Sequence, residues 1–316
     1  MQTSTFDNPK KKKLAKKGGF WDSFSSFLIT ITPFVGFILF MFLPMIVSLV
    51  TSFVDLHSSD FSEAKFVWFE NYIKLFSGDQ GWKTLGAYRT TFVYCINVPI
   101  SLGIGILCAF LLQKIKKARQ FFNTVFFIPY VCSVVATSLI FRMLYEENYG
   151  ILNSMLSAIG FEKVSWITSE AMFLPSAIIM GSWSGSGMCI LLYNAAMSNV
   201  DKSYYEAAKI DGASDARMFF DITLPAISPT TFYLLTIKLI GSMQVINEMT
   251  VLAGNSAGPN GIGRSAVLDI YDMINVNLTE KGYGIAAAAS WILAILILVL
   301  TRVNFRLAKK WVCYDF

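Results

Sequence analysis

The chain has 316 residues, 54% of them hydrophobic and 15% charged, with a formal net charge of +5 and a mean hydropathy of +0.53. A soluble domain carries about 25% charged residues, so this composition excludes an ordinary globular enzyme and implies a polytopic membrane protein. One histidine, His57, and five cysteines without a C-x-x-C pair (Cys95, Cys108, Cys132, Cys189, Cys313) exclude a multi-histidine metal centre and suggest no disulfide framework.

The first segment, residues 1–25, is basic through Lys10 to Lys13, Lys16 and Lys17. The apolar run behind it is too long for the h-region of a cleavable signal and lacks a small-residue cleavage site. A membrane helix needs about 20 mostly apolar residues. Six stretches qualify: 27–53, 90–113, 121–145, 171–196, 226–252 and 282–305. The third contains Pro129, and the fourth carries Gly181, Gly185 and Gly187, small residues that permit close helix approach in lipid. The predicted organisation is a basic segment 1–25, a membrane domain 26–309 and a tail 310–316.

Between the spans the chain alternates in charge. The N-terminus, 114–120, 197–221 and the C-terminus from Arg302 hold 17 of the 26 Lys and Arg, against 8 in the opposite loops. The Lys/Arg-rich side faces the cytoplasm, so both termini and the polar loop 200–225 are expected there. On the outer side, Trp68, Phe69, Tyr72 and Trp82 suit either an aromatic belt or a landing surface for an extracellular protein. Residues 150–160 have apolar residues at helical spacing and predict a short interfacial helix.

The polar loop reads SYYEAAKIDGASDARMFFDITLP over 203–225. Ser203 with Glu206 forms a capping box, a helix start. Gly212 permits the backbone conformation that ends or bends that helix. A second short helix is expected over 214–220, and Pro225 marks re-entry into the next span. Glu206, Asp211 and Asp215 offer charges to a partner, and Ala207 and Ala208 give a slim face for a groove.

In the fifth span, Lys238, Gly241, Ser242, Val245 and Glu248 fall on one helical stripe. A charge at mid-bilayer costs at least about 3 kcal/mol unless it faces a polar cavity or partner. The stripe is therefore expected to face the bundle interior. Trp183, Ser184, Gly185 and Ser186 on the fourth span are expected to flank the same path. The competing reading is a structural salt bridge or packing against another subunit. Gly258 to Ser265 (GPNGIGRS) matches part of a phosphate-binding loop. Its lysine position holds Arg264 and it follows a membrane helix rather than a strand, so it reads as an outer turn.

The combination Glu206-Ala207-Ala208, Asp211-Gly212-Ala213, Phe219, Ile222 and Leu224-Pro225 resembles the EAA loop of binding-protein-dependent (type I) ABC importer permeases. Residues 44–75, with Ser52-Phe53 and Glu70-Asn71-Tyr72, together with 125–150 and 257–284, are similar to its carbohydrate branch, which includes maltose, glycerol-phosphate and multiple-sugar permeases. Similarity covers roughly 25–305. Asn255 to Pro259 and Asn194 to Met197 depart from the pattern.

The resemblance implies an all-α, polytopic membrane protein with six transmembrane helices and the MetI-like permease fold. It implies no catalytic, cofactor or metal site in this chain. ATP and Mg would be used on two partner ATPase subunits, coupled through Glu206, Ala207, Ala208, Asp211, Gly212, Ala213, Phe219, Leu224 and Pro225. The other implied partners are a second homologous permease, an extracellular solute-binding protein and membrane lipid, with no nucleic acid. The implied cargo is a sugar, an oligosaccharide in the main reading, in a bacterial cell membrane. A non-sugar solute such as a glycerol phosphodiester or polyamine is the alternative. A secondary transporter is disfavoured because only Glu248 is available as an embedded acid.

Overall fold

The structure is a computed structural model that describes residues 20–57, 62, 64–115, 117–254, 257–276 and 278–314. Asn255 and Ser256, two of the departing positions, and the basic run Lys10 to Lys17 lie outside the described residues. The chain forms two compact units, residues 1–50 and 51–316.

In the first unit, α1 (Phe20–Phe37) passes through a π-turn (Ile38–Phe42) into α2 (Leu43–Thr51). Together they supply an apolar span, Phe24–Thr51. Thr30 and Thr32 donate their hydroxyls to the carbonyls four residues back, at 2.8 and 2.7 Å, so neither demands a partner from lipid.

The second unit begins with a two-stranded antiparallel hairpin, β1 (Val54–Asp55) and β2 (Lys65–Phe66), with Val54 opposite Phe66. Then come α3 (Glu70–Leu75), α4 (Gly78–Tyr94), α5 (Asn97–Lys114), α6 (Arg119–Val131), α7 (Val134–Leu144), α8 (Ile151–Ala158) and α9 (Glu170–Ser198). The polar loop holds α10 (Lys202–Ile210), α11 (Asp215–Met218) and α12 (Leu224–Ala226), with a π-turn over Phe219–Thr223. The chain finishes with α13 (Ser228–Met243), α14 (Asn247–Leu252), α15 (Ala266–Asn275) and α16 (Leu278–Ala308). The short helix expected over 150–160 is α8.

Among the described residues four spans are long and apolar enough to cross a membrane, or six when two bent helix pairs count as one each. The second bent pair is α11–α12 with α13, at 61°. The first bend and a separate helix break correct two expectations. Residues 121–145 are not one rod: α6 and α7 meet at 96°. Cys132 and Ser133 are extended there, with ψ of 146° and 133°, three residues after a proline that cannot donate a backbone hydrogen bond. Residues 226–252 are not one helix either. α13 ends at Met243, Ile246 leaves helical geometry (φ −141°, ψ −56°), and α14 restarts at Asn247. A further correction concerns 90–113, whose helix starts earlier, at Gly78.

α9 is the central packing element, lying along α5 and α6. A Cβ on Gly187 would stand 2.6 Å from the Phe126 carbonyl oxygen, so glycine is what lets α6 approach. The two outer motifs of the sequence meet in space. Ser52 Oγ lies 2.8 Å from the Tyr72 hydroxyl, Asn71 Nδ2 donates to Ser52 O at 3.0 Å, and the Phe53 ring packs on Phe69 and Tyr72. These aromatics therefore form a packed cluster around the hairpin.

Candidate functional site

A cavity of about 280 Å³ opens among α4, α5, α7, α9, α13 and α14. α9 turns the face 181, 184, 185, 188 toward it, the i, i+3, i+4, i+7 spacing of one helical side. α13 contributes Ile237, Lys238, Gly241 and Ser242, and Glu248 reaches the same space from α14. Tyr94, Asn97, Thr137 and Ser138 add hydroxyls and an amide, Tyr130 comes from the last turn of α6 and Cys132 from the bend after it.

Asn97 fixes one wall. Its Nδ2 donates to Tyr94 O at 2.6 Å and to Ser242 Oγ at 3.0 Å, which ties α5 to α13. Ser101 Oγ donates to Asn97 O at 2.7 Å and reaches Ser182 O at 3.3 Å, tying the same wall to α9. Lys238 Nζ lies over Gly185, where a Cβ would come within 2.5 Å of it. Glycine at that position is what leaves room for the ammonium.

Of the expected path residues, Ser184, Gly185, Lys238, Ser242 and Glu248 line this cavity. Trp183 and Ser186 do not. Trp183 is 46% exposed and packs on Phe141 at 5.2 Å between ring centres. Ser186 is buried and donates to Trp183 O at 2.7 Å. Four consecutive residues span a full helical turn, so they cannot share one face. Val245 also leaves the stripe. The break before α14 turns it into the core beside Met249 and Phe141, where its carbonyl accepts from Ser265 Oγ at 2.6 Å.

The outer loop Gly258 to Ser265 is committed to packing. Arg264 pairs with Asp269 at 3.4 Å and with Asp272 at 2.5 Å. Ser265 caps α15 by accepting from Leu268 N.

The polar loop forms the second part of the site. α10 is capped by Asp201, which accepts from Ser203 N at 2.9 Å, so the cap sits two residues before the expected Ser203. That backbone donor holds the Asp201 carboxyl below the usual aspartate range. Gly212 has φ +76° and ends the helix as expected. Ser214 caps α11 by accepting from Arg217 N at 3.3 Å. Tyr205 OH and Thr223 Oγ1, 2.9 Å apart, join α10 to the approach of α13. Phe219 packs edge-on against Phe110 of α5 at 4.9 Å.

Glu206, Ala207, Asp211 and Gly212 are exposed; Ala208, Ala213, Phe219, Leu224 and Pro225 are half-buried. Asp215 pairs with Lys114 at 3.3 Å within the chain. Sequence reading passed over Ile210 and Phe220, apolar residues that are 86% and 62% exposed on this loop. It also passed over the role of Asn194. That amide accepts from Gln113 Nε2 (2.8 Å) and Arg119 Nη2 (2.6 Å) and donates to Asn123 (2.9 Å), which accounts for a polar residue where the pattern is aliphatic.

Residues 101–312 match the family model described as "Binding-protein-dependent transport system inner membrane component". The chain belongs to this family. As an inner membrane component it is similar along nearly its whole length to the arabinooligosaccharides transport system permease protein AraP of Bacillus subtilis (strain 168), with 34% identity over 304 residues and 93% of each chain covered. It is 29% identical to the lactose transport system permease protein LacF of Rhizobium radiobacter, covering 89% of this chain and 93% of that one. The fold is that of an ABC importer permease. One chain of the bacterial alginate ABC transporter, solved in complex with alginate pentasaccharide-bound periplasmic protein, aligns with a TM-score of 0.76 and 25% identity, covering 92% and 94%.

Proposed function

We propose that this chain is one permease subunit of an ATP-driven importer that carries a sugar, an oligosaccharide, delivered by an extracellular binding protein. The observation that carries the proposal is the cavity wall. Two tyrosines offer rings to the C–H faces of a sugar, while Asn97, Thr137, Ser138, Ser184 and Ser242 offer hydrogen bonds to its hydroxyls. Relatives over the full length are named for arabinooligosaccharides and lactose, and the solved neighbour for alginate, which supports the same cargo class.

The family and the loop support a reading of the rest of the machine. A second homologous permease completes the path, and two ATPase subunits bind ATP and Mg below the polar loop. The Lys/Arg distribution supports a cytoplasmic position for both termini and that loop. Glu206, Ala207, Asp211 and Gly212 present the docking face, with Ile210 and Phe220 as apolar anchors. Tyr205–Thr223 and Phe219–Phe110 carry movement of α10 into α13 and α5, the helices that carry Lys238 and Asn97. ATP binding drives transport by favouring one state of the permease pair over the other.

The test is the doubly changed Glu206→Lys, Gly212→Val importer. The ATPase subunits are expected to be lost on purification and uptake to stop. Normal co-purification with normal uptake would contradict the docking role.

A further inference from the structure

Two charges line the cavity, Lys238 and Glu248. They do not pair: among the described residues neither takes part in an ion pair. The ammonium of Lys238 lies beside Gly185 and Ser101, whose hydroxyl donates to the Asn97 carbonyl and offers the ammonium no more than a neutral acceptor. Glu248 approaches from α14, on the far side of the helix break at Ile246. Lys238 lies at the eleventh residue of a 16-residue apolar helix, where a charge is costly unless something answers it. A neutral sugar gives no reason to keep it: a serine or asparagine there would hydrogen-bond hydroxyls without the desolvation.

We infer that the cargo carries an anionic group (carboxylate, sulfate or phosphate) and that Lys238 is the residue that meets it. In the oligosaccharide reading the cargo is an acidic oligosaccharide. Lys238 Nζ donates to the anion in a charge-assisted hydrogen bond, the stronger kind in a low-dielectric path. Glu248 repels the anion and accepts from hydroxyls, so the two walls fix which end of the cargo points where. The inference rests on the cavity being the cargo path, and it is separable from the sugar assignment because the anion can sit on another backbone.

The experiment uses the assembled importer with its binding protein. Cargo eluted from the binding protein isolated from cells is identified by mass spectrometry. That compound is then the probe for uptake into proteoliposomes carrying wild-type, Lys238→Met, Lys238→Gln or Lys238→Arg permease. The expected cargo is an acidic oligosaccharide. Uptake at subsaturating concentration is expected to fall about tenfold or more in Lys238→Met and Lys238→Gln, the scale of one lost charged hydrogen bond, and Lys238→Arg restores most of it. ATPase co-purification stays unchanged. A neutral oligosaccharide overturns the anion inference and leaves the sugar reading standing. A glycerol phosphodiester carried in a Lys238-dependent way does the reverse. A polyamine sinks both, and wild-type uptake of an acidic cargo by the two neutral variants sinks the role of Lys238 even if the cargo is anionic.

Discussion

Asn97 is the residue that holds the cavity wall in place. Its amide joins Tyr94 O and Ser242 Oγ while it is 5% exposed, so Asn97→Ala leaves both acceptors buried without their donor. The expected loss is about 1–3 kcal/mol of stability, seen as a lower melting temperature of the purified importer, with reduced uptake. Trp183→Leu makes the opposite prediction. The ring lies off the cavity face, so uptake is expected to stay near wild type; collapse of uptake in Trp183→Leu with an unaffected Asn97→Ala would reverse the two assignments. The contrast also shows what the sequence reveals at this scale. Lys238, Ser242, Ser184 and Gly185 are legible because they are polar or small residues at helical spacing inside apolar runs. Tyr94, Asn97 and Tyr130 are not, since they reach the cavity from other helices, and the packing that brings them there leaves no local pattern. Trp183 attracts attention for its chemistry, and only the helical angle removes it.

Among the elements, the polar loop was the most legible in sequence because capping and turn signals are local. The Gly212 turn and the short helix behind it stand where the pattern puts them. The one displaced signal is the cap, which Asp201 takes from Ser203 because its carboxylate reaches the Ser203 amide first. A pH dependence follows. The folded carboxyl titrates below its unfolded value, so its contribution to α10 is present above the unfolded pKa and is lost as pH falls through the lowered folded value. Protection of the α10 amides, corrected for the intrinsic slowing of exchange at low pH, is therefore expected to be high near neutral pH and to fall at acid pH more than in neighbouring segments, and Asp201→Ala should abolish that excess. An identical pH response in Asp201→Ala would rule out the cap as its source. The two interrupted segments are far less legible. Each of 121–145 and 226–252 is apolar enough to read as one span, and only Pro129 hints at a break in the first. The other lies at Gln244–Ile246, where no proline or glycine stands and the tertiary contacts of Val245 with the core set the backbone.

For the whole molecule, the Lys/Arg imbalance sets the expected orientation in the membrane. Two native cysteines can test it without further substitutions. Cys313 is exposed near the C-terminus, and Cys132 is exposed in the extended link between α6 and α7, where it lines the cavity. With a membrane-impermeant maleimide and peptide mass spectrometry, Cys313 is expected to label in inside-out vesicles and to stay unlabelled in right-side-out ones. Cys132 is expected to label at a rate that changes between nucleotide-free and ATP-bound importer if the path it borders opens to one side and then the other, as proposed. Both outcomes are needed, since each tests a different step. Labelling of Cys313 from outside would invert the molecule, moving the α10–α12 loop away from ATP and removing the docking proposal with it. A Cys132 rate indifferent to nucleotide, with Cys313 correctly inside, would leave the orientation intact and deny that this cavity is the part of the path that ATP opens and closes.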